Sequence, residues 1–380
     1  MNNIVIDMSP VIHGFRAIKR CTACIVSELL KYENFNFDLL YFDYKNQTDK
    51  YLKSREVNTN EKVLRVPLRI LIQLWKRFSW PRLEKYLSQY DLFYTNEFYF
   101  PPMKGAPILA TIHGLAYKVI PEKLPAQIVQ TLNQGLKYIL KHSDYLIAVS
   151  ETTKEELTRF AEVNPERIYV VTHGVDKKFK RRKDQQVVRN HLTIEYGINR
   201  PYILYVGAIG IHKNILGILQ AYEMLSNGLS HHLVLAGFQD NAWDSAKQFV
   251  AEKKLTEKVH FLGHVYDTDK LVDLYNGAEL FVFPSFYEGW TSPPLEAMAC
   301  GTPVITSNCS SLPETVGVGA IQIDPNDIKA LANEMERVLS DKTLQLELIK
   351  KGFDHVSKHT WEKAAGKLIK VFEDILVKGP

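Results

Sequence analysis

Glu288 and Glu296 bracket the stretch EGWTSPPLE. Ionised carboxylates accept hydrogen bonds from sugar hydroxyls, and their charge strengthens such contacts. An exposed acidic loop leading into an acidic helix start would give the same spacing, so the two readings stand level on the residues alone. Lys213, in GAIGIHKN, supplies a cation able to neutralise charge on a departing phosphate. Gly207 and Gly210 in that stretch either admit a phosphate to the backbone or make a tight turn. His113 follows the apolar run PILATI and precedes Gly114. An imidazole there serves as a polar contact at a strand end or as a hydrogen-bonded structural residue.

Positioning these groups requires strands that end at them. ELFVFPS reads as a strand delivering FYEG to a ligand crevice. Ser292 is placed to cap the next helix, Pro293 to occupy its first position and Gly301 to end it. That puts Glu288 before the helix and Glu296 within it. Short apolar runs near Ile4, ending at Phe42, beginning at Asp91 and ending at Thr111 alternate with helical patterns. SDYLIAVS then leads into ETTKEELTRF, where Ser150 caps a helix, and IYVVTHGVD closes the series. A second series follows in YILYVG, HHLVLAG, VHFLGHV, ELFVFPS, PVITS and AIQID. The fold class is therefore α/β, two mostly parallel sheets whose domains face an interdomain cleft. The charged run from Lys177 and the later Asn199-Arg-Pro201 mark the crossing. The expected division is an N-terminal domain over 1–180, a linker over 181–199, a C-terminal domain over 200–359 and a terminal helix over 360–380. Packing of that helix back on the N-terminal domain is one placement the sequence leaves open.

The 380 residues exceed what one core usually serves. Apolar residues at 46% and charged residues at 24% fit folded domains, and a net charge of +4 is too modest to point to nucleic acid. The opening MNNIVIDMSP lacks the features of a secretory signal, and no run reaches the length of a membrane span. Four cysteines without paired metal knuckles suit a reduced, cytoplasmic setting, and Cys21-Thr-Ala-Cys24 fits helix packing better than redox use. Asp267-Thr-Asp269 spells a metal-like pair that helix capping explains better. In SPVIHGFRAIKR, Gly14 either lets phosphate or sugar approach, beside Arg16, Lys19 or Arg20, or sits in a flexible turn with a solvated basic face. The stretch from Lys62 combines Lys76 and Arg77 with Trp75, Phe78 and Trp80. It suits domain packing, with a peripheral contact to an anionic membrane surface as the second use.

The string FPSFYEGWTSPPLEAMACGTPVITSNCSSLPE resembles the donor site of retaining GT-B glycosyltransferases of glycosyltransferase family 4. TIHGLAYKVIP, AVSETTKEEL, VVTHGVD and YILYVGAIGIHKN extend the resemblance over both halves. It implies two Rossmann-like domains, the first for acceptor and the second for a nucleotide sugar, with GDP-mannose or a UDP-sugar as donor. Glu288 would contact the transferred sugar and Glu296 the nucleotide ribose. Gly289, Trp290, Thr291 and Ser292, with Leu295, would form the donor loop, and Gly14 and Gly207 would lie on donor phosphate or sugar. Lys213 would take the diphosphate, and His113 would orient the sugar. Departures are visible: EGWTSPP replaces the commoner EGFGLP, His212 stands where arginine is frequent, Gly114 replaces an aspartate, and no GIGRY-like loop occurs. Trp290 either covers a ligand or packs. The implied reaction is hexosyl transfer, mannosyl first among candidates, to a surface glycan or lipid-linked saccharide, with retention and without a divalent metal. A nucleotide-sugar epimerase, a glycan phosphorylase and a non-catalytic sugar-nucleotide-binding partner remain the alternatives.

Overall fold

Continuous Val-, Ile-, Leu- and Phe-rich runs, buried on both faces, are what parallel strands require, and helices must then connect them. The structure is a computed structural model that describes residues 1–14, 16–45, 60–87 and 89–379; the side chains of Arg16, Ala17 and Lys85 lie outside the described atoms. The chain divides into two compact units. The first comprises Met1–Val119, Pro125–His173 and Trp361–Pro380; the second comprises Ile120–Leu124 and Gly174–Thr360.

The first unit holds β1 (Asn2–Asp7), β2 (Phe35–Phe42), β3 (Asn60–Leu64), β4 (Leu92–Thr95), β5 (Ile108–Ile112), β6 (Tyr145–Ala148) and β7 (Ile168–Val170). Every pairing is parallel, in the order β3-β2-β1-β4-β5-β6-β7. The edge strand β3 is not foreseen in the sequence, because NEKVL is polar and its residues are at most half-buried. Lys62 on β3 reaches Asp38 of β2 at 3.3 Å. The helix Trp361–Lys378 belongs to this unit, where Trp361, Leu368 and Phe372 join its core. The Phe372 ring meets those of Tyr94 and Phe35 edge-on, at 5.7 and 6.2 Å between centroids.

The second unit repeats the order. Its strands are β8 (Tyr202–Val206), β9 (His232–Ala236), β10 (Val259–Gly263), β11 (Leu280–Phe283), β12 (Val304–Ser307) and β13 (Ile321–Ile323), arranged β10-β9-β8-β11-β12-β13. Residues 181–199 lie in this unit. They carry the helix Gln185–Tyr196, capped by Asp184 and ended by Gly197 at φ +67°, whose Val188 and Leu192 enter the core. In each sheet the strand order reverses once, between β1 and β4 and between β8 and β11, and ligands of open parallel sheets bind beyond the strand C-termini at that point.

Of the helix ends read from the sequence at Ser150, Ser292, Pro293 and Gly301, only the Ser292 cap does not form. Ser150 Oγ accepts from the Thr153 N–H at 3.0 Å, as its position predicts. Pro293 opens the helix Pro293–Ala299 and Gly301, at φ +80°, ends it. Ser292 makes no side-chain cap, because its backbone is already helical, whereas a capping side chain needs the extended conformation.

Candidate functional site

The second unit brings its candidates together at the β8/β11 reversal. Gly207 follows β8, and a close approach fixes this end: a Cβ on Gly237, after β9, would lie 1.6 Å from the Gly207 carbonyl oxygen. The chain then makes the turn Ile211–Lys213, and Asn214 enters the left-handed region at φ 59° before the helix Ile215–Leu225. The buried Asn214 Nδ2 donates to the Pro325 carbonyl at 2.7 Å, which anchors this departure. From the other strand, Phe286 N–H donates to the His212 carbonyl at 2.9 Å and ties the two loops together. Lys213 Nζ thereby meets Glu288 Oε1 at 2.5 Å.

Glu288 is held from behind. Its N–H donates to Ser310 Oγ at 2.9 Å, and its carbonyl accepts from Ser311 Oγ at 2.8 Å. Both serines follow β12, so groups after three strands hold this one residue. Glu288 is 8% exposed. Lys213 Nζ also lies 5.6 Å from the Phe283 ring centroid. Burial and the nearby Lys213 charge push His212 down to about 3, so it is neutral at physiological pH and gives no second cation.

Glu296, on the helix Pro293–Ala299, is buried and accepts from Tyr275 OH at 3.0 Å. Leu295 is fully buried in the core and leaves only its backbone for a ligand. Thr291 is buried and is not among the positive-φ residues, so this loop has no need of glycine there. Trp290 packs on the core, its ring 5.4 Å from that of His359, and its Nε1 is buried without a hydrogen-bond partner. Gly289 shares the loop and Gly207 follows β8, at φ +157°. Asp267 caps the helix Thr268–Gly277 through the Asp269 and Lys270 N–H groups, and Asp269 pairs with Arg182 at 2.9 Å.

His113 and Gly14 belong to the first unit. His113 follows β5; burial lowers it to about 4, and its Nε2 is buried without a partner. Gly14 is extended at φ −69°, ψ 159°, and a Cβ there would lie 2.5 Å from the Pro10 carbonyl oxygen. Contact with its own preceding turn is therefore reason enough for the glycine.

Sequence reasoning missed a polar cluster at the β1/β4 reversal. Asp7, buried at the end of β1, accepts from Ser9 N–H at 2.9 Å, Ser9 Oγ at 2.5 Å and Thr95 Oγ1 at 2.9 Å. Glu97 follows β4, and burial, then the Asp7 charge, pushes it up to about 8. His173 follows β7 with its ring 5.6 Å from His113; burial, then His113, lowers it to about 3. Cys21 Sγ lies 3.4 Å from His173 Nδ1. Polar residues directly after apolar runs, in VIDMS and YTNE, were the available signal. Tyr275, Ser310 and Ser311 are supporting residues that carry no such signal.

Two family models match the chain. Residues 26–179 match "Glycosyltransferase Family 4" and residues 194–355 match "Glycosyl transferases group 1". O-antigen chain mannosyltransferase B of Escherichia coli is 29% identical over 288 residues, 74% of each chain. The serotype-specific mannosyltransferase WbdA of Escherichia coli is 29% identical over 240 residues, 62% of this chain, which spans only 29% of that relative's length. Sucrose-phosphate synthase from Thermosynechococcus elongatus has a similar structure, with a TM-score of 0.76 over 100% of both chains at 22% identity.

Proposed function

Because the chain belongs to the group 1 glycosyltransferases of family 4 and has their GT-B fold, we propose that it transfers a hexosyl group from a nucleotide sugar to a growing glycan, with retention of anomeric configuration. The observation that carries this reading is the Lys213–Glu288 pair at the strand-order reversal of the second unit. Mannose, as GDP-mannose, is the first donor to try, since both relatives named above are mannosyltransferases, one of them of the O-antigen chain. UDP-sugars are the next.

An ammonium has three N–H donors. One stays on Glu288, and the others take oxygens of the donor diphosphate, whose negative charge grows as the glycosidic bond breaks. The second Glu288 oxygen is then available to a sugar hydroxyl, while Glu296, oriented by Tyr275, accepts from the ribose. His113, a neutral imidazole, is assigned to the transferred sugar on the resemblance. The acceptor hydroxyl attacks the face from which the diphosphate departs, and a phosphate oxygen takes its proton. No protein base and no divalent metal enters this scheme.

A lipid-linked saccharide acceptor, met at the cytoplasmic face of a membrane, completes the reading. Among the described residues no helix is long and apolar enough to cross a membrane. The helix Leu68–Phe78 divides its aromatic residues: Trp75 is buried, its Nε1 donating to the Pro81 carbonyl at 3.1 Å, whereas Phe78 and nearby Trp80 are each 62% exposed. Exposed Arg69, Lys76, Arg77 and Arg82 accompany them, a composition suited to an anionic interface.

The test is incubation with a panel of nucleotide sugars and with soluble or lipid-linked saccharides, read by mass spectrometry and NMR. A sugar–acceptor adduct with the donor's anomeric configuration is expected. An inverted adduct refutes retention. Epimerised donor or free sugar phosphate would make the enzyme an epimerase or a phosphorylase, and binding without any product would make it a non-catalytic partner.

A further inference from the structure

The second unit has a cavity that the donor site does not use. Its volume is about 450 Å³, within the range of small-molecule sites. Its wall includes Pro201 and Tyr202 at the start of β8, Glu279 just before β11 and Pro303 just before β12. It therefore opens at the N-terminal edge of the sheet, whereas the donor loops leave the C-terminal edge. The five residues of β8 separate the two edges, roughly 16 Å at about 3.3 Å per residue.

The lining is strongly cationic. Arg181, Arg189, Arg200 and Lys342 face a single carboxylate, Glu279, so the cavity wall carries a formal +3 while the whole chain carries +4. Glu279 is already engaged by His231 Nε2 at 3.0 Å, and that hydrogen bond holds its carboxyl below the usual range. Among the described residues, none of the three guanidiniums has a carboxylate at ion-pair distance. Lys342 is oriented by the buried Gln345, whose Oε1 accepts from Nζ at 2.8 Å while its Nε2 donates to the Val338 carbonyl at 2.8 Å.

Unpaired like charges gathered around a concave wall repel one another, and a multivalent anion removes that cost. Guanidinium forks match phosphate oxygens two at a time, and an ammonium adds a point charge. We propose that this cavity is a second binding site, distinct from the donor site, for a soluble phosphorylated small molecule. The proposal does not rest on the transferase reading.

Inorganic pyrophosphate is a suitable probe, titrated calorimetrically into the full chain carrying Lys213→Ala so that the donor-side cation is removed. One equivalent should bind, and adding Arg189→Gln with Arg200→Gln should weaken it by about tenfold or more, given the strength of charge-assisted contacts. Both arginines are exposed, so an unchanged melting temperature without the anion will show the fold intact. Arg181→Gln, made separately, must weaken binding in the same direction. No saturable binding to the Lys213→Ala protein, or binding that ignores the arginines, overturns the proposal. So does arginine-dependent flotation with phosphatidylglycerol vesicles in a protein that ignores pyrophosphate, because the cations would then serve a lipid surface.

Discussion

Replacing Lys213 by methionine keeps an unbranched stem of the same length, with sulfur in place of one methylene, and removes the ammonium. On the proposed reading a phosphate oxygen of the donor would lie at hydrogen-bonding distance from Nζ, with the charge centres about 4 Å apart. At an effective dielectric of about 20 such a pair is worth about 4 kcal/mol. The donor diphosphate is already anionic before the bond breaks, so only the charge added on departure lowers the barrier. Taking half to most of the total gives an expected fall in kcat of about 30- to 500-fold, with a smaller rise in donor KM. Removal of the cation also leaves Glu288, 8% exposed, without its 2.5 Å partner. Breaking a buried pair costs about 3–5 kcal/mol, and the residual exposure of both side chains puts this one at or below the lower end. The two effects separate in a double-mutant cycle. Lys213→Met/Glu288→Gln should recover most of the lost stability, since no uncompensated charge remains, and none of the lost turnover. The assay is release of nucleoside diphosphate at saturating acceptor, alongside thermal melting. A Lys213→Met enzyme whose kcat stays within threefold while only KM rises would refute the reasoning, because the ammonium would then be a ground-state anchor.

Four further outcomes follow from the geometry. Tyr275→Phe removes the 3.0 Å hydrogen bond to buried Glu296 and should raise donor KM several-fold with little change in kcat; equal KM values would detach Glu296 from donor binding. Gly237→Ala places a methyl 1.6 Å from the Gly207 carbonyl, an overlap costing about 3 kcal/mol or more, so a melting temperature within 1 °C or so of the parent would contradict this approach of β8 and β9. Glu97, raised from 4.5 to about 8, binds its proton in the folded state where the unfolded chain has lost it, so its contribution to stability is full below about 4.5 and is lost as pH rises through 8. Glu97→Gln mimics the protonated form and should stabilise the protein more at pH 8 than at pH 5, which melting curves at the two values will check. Phe78→Ser with Trp80→Ser should abolish flotation with anionic vesicles and leave turnover on a soluble acceptor intact, and undiminished flotation would remove that surface from consideration.

Much of the fold is legible because parallel strands buried on both faces announce themselves as unbroken apolar runs. All six strands of the second unit coincide with runs visible in the sequence, as do β1, β2, β4, β5, β6 and β7. β3 escaped because an edge strand needs only one apolar face, and NEKVL has barely that. Ser292 misled for a different reason: its residue type is a cap, but the chain is already helical there, so capping geometry is closed to it. At the site, Lys213 and Glu288 are individually readable, yet their meeting depends on the hydrogen bond from Phe286 to the His212 carbonyl. A backbone contact between two distant strand ends has no side-chain signature. The same holds for Ser310 and Ser311, which act on Glu288 only through its N–H and carbonyl.

The two sheets share the order of six strands but differ in the groups beyond their strand ends, and that difference bears on which substrate each unit suits. At the β8/β11 reversal the group at the loop ends is an ammonium beside a carboxylate, with His212 held neutral. A diphosphate entering there meets a cation that nothing else competes for except Glu288. None of Asp7, Glu97, His113 and His173 in the first unit is such a cation. His113 and His173 are neutral through burial, Asp7 is already encircled by the donors of Ser9 and Thr95, and Glu97 is chiefly protonated at pH 7. A neutral carboxyl both donates and accepts, and so does a neutral imidazole. Such groups match hydroxyls, which also do both, and they bring no positive charge to an anion. The first unit is thus chemically suited to an uncharged saccharide and the second to a nucleoside diphosphate. Glu97→Asp, which shortens the carboxyl's reach, should accordingly raise acceptor KM and leave donor KM unchanged, and a rise in donor KM alone would reverse the assignment.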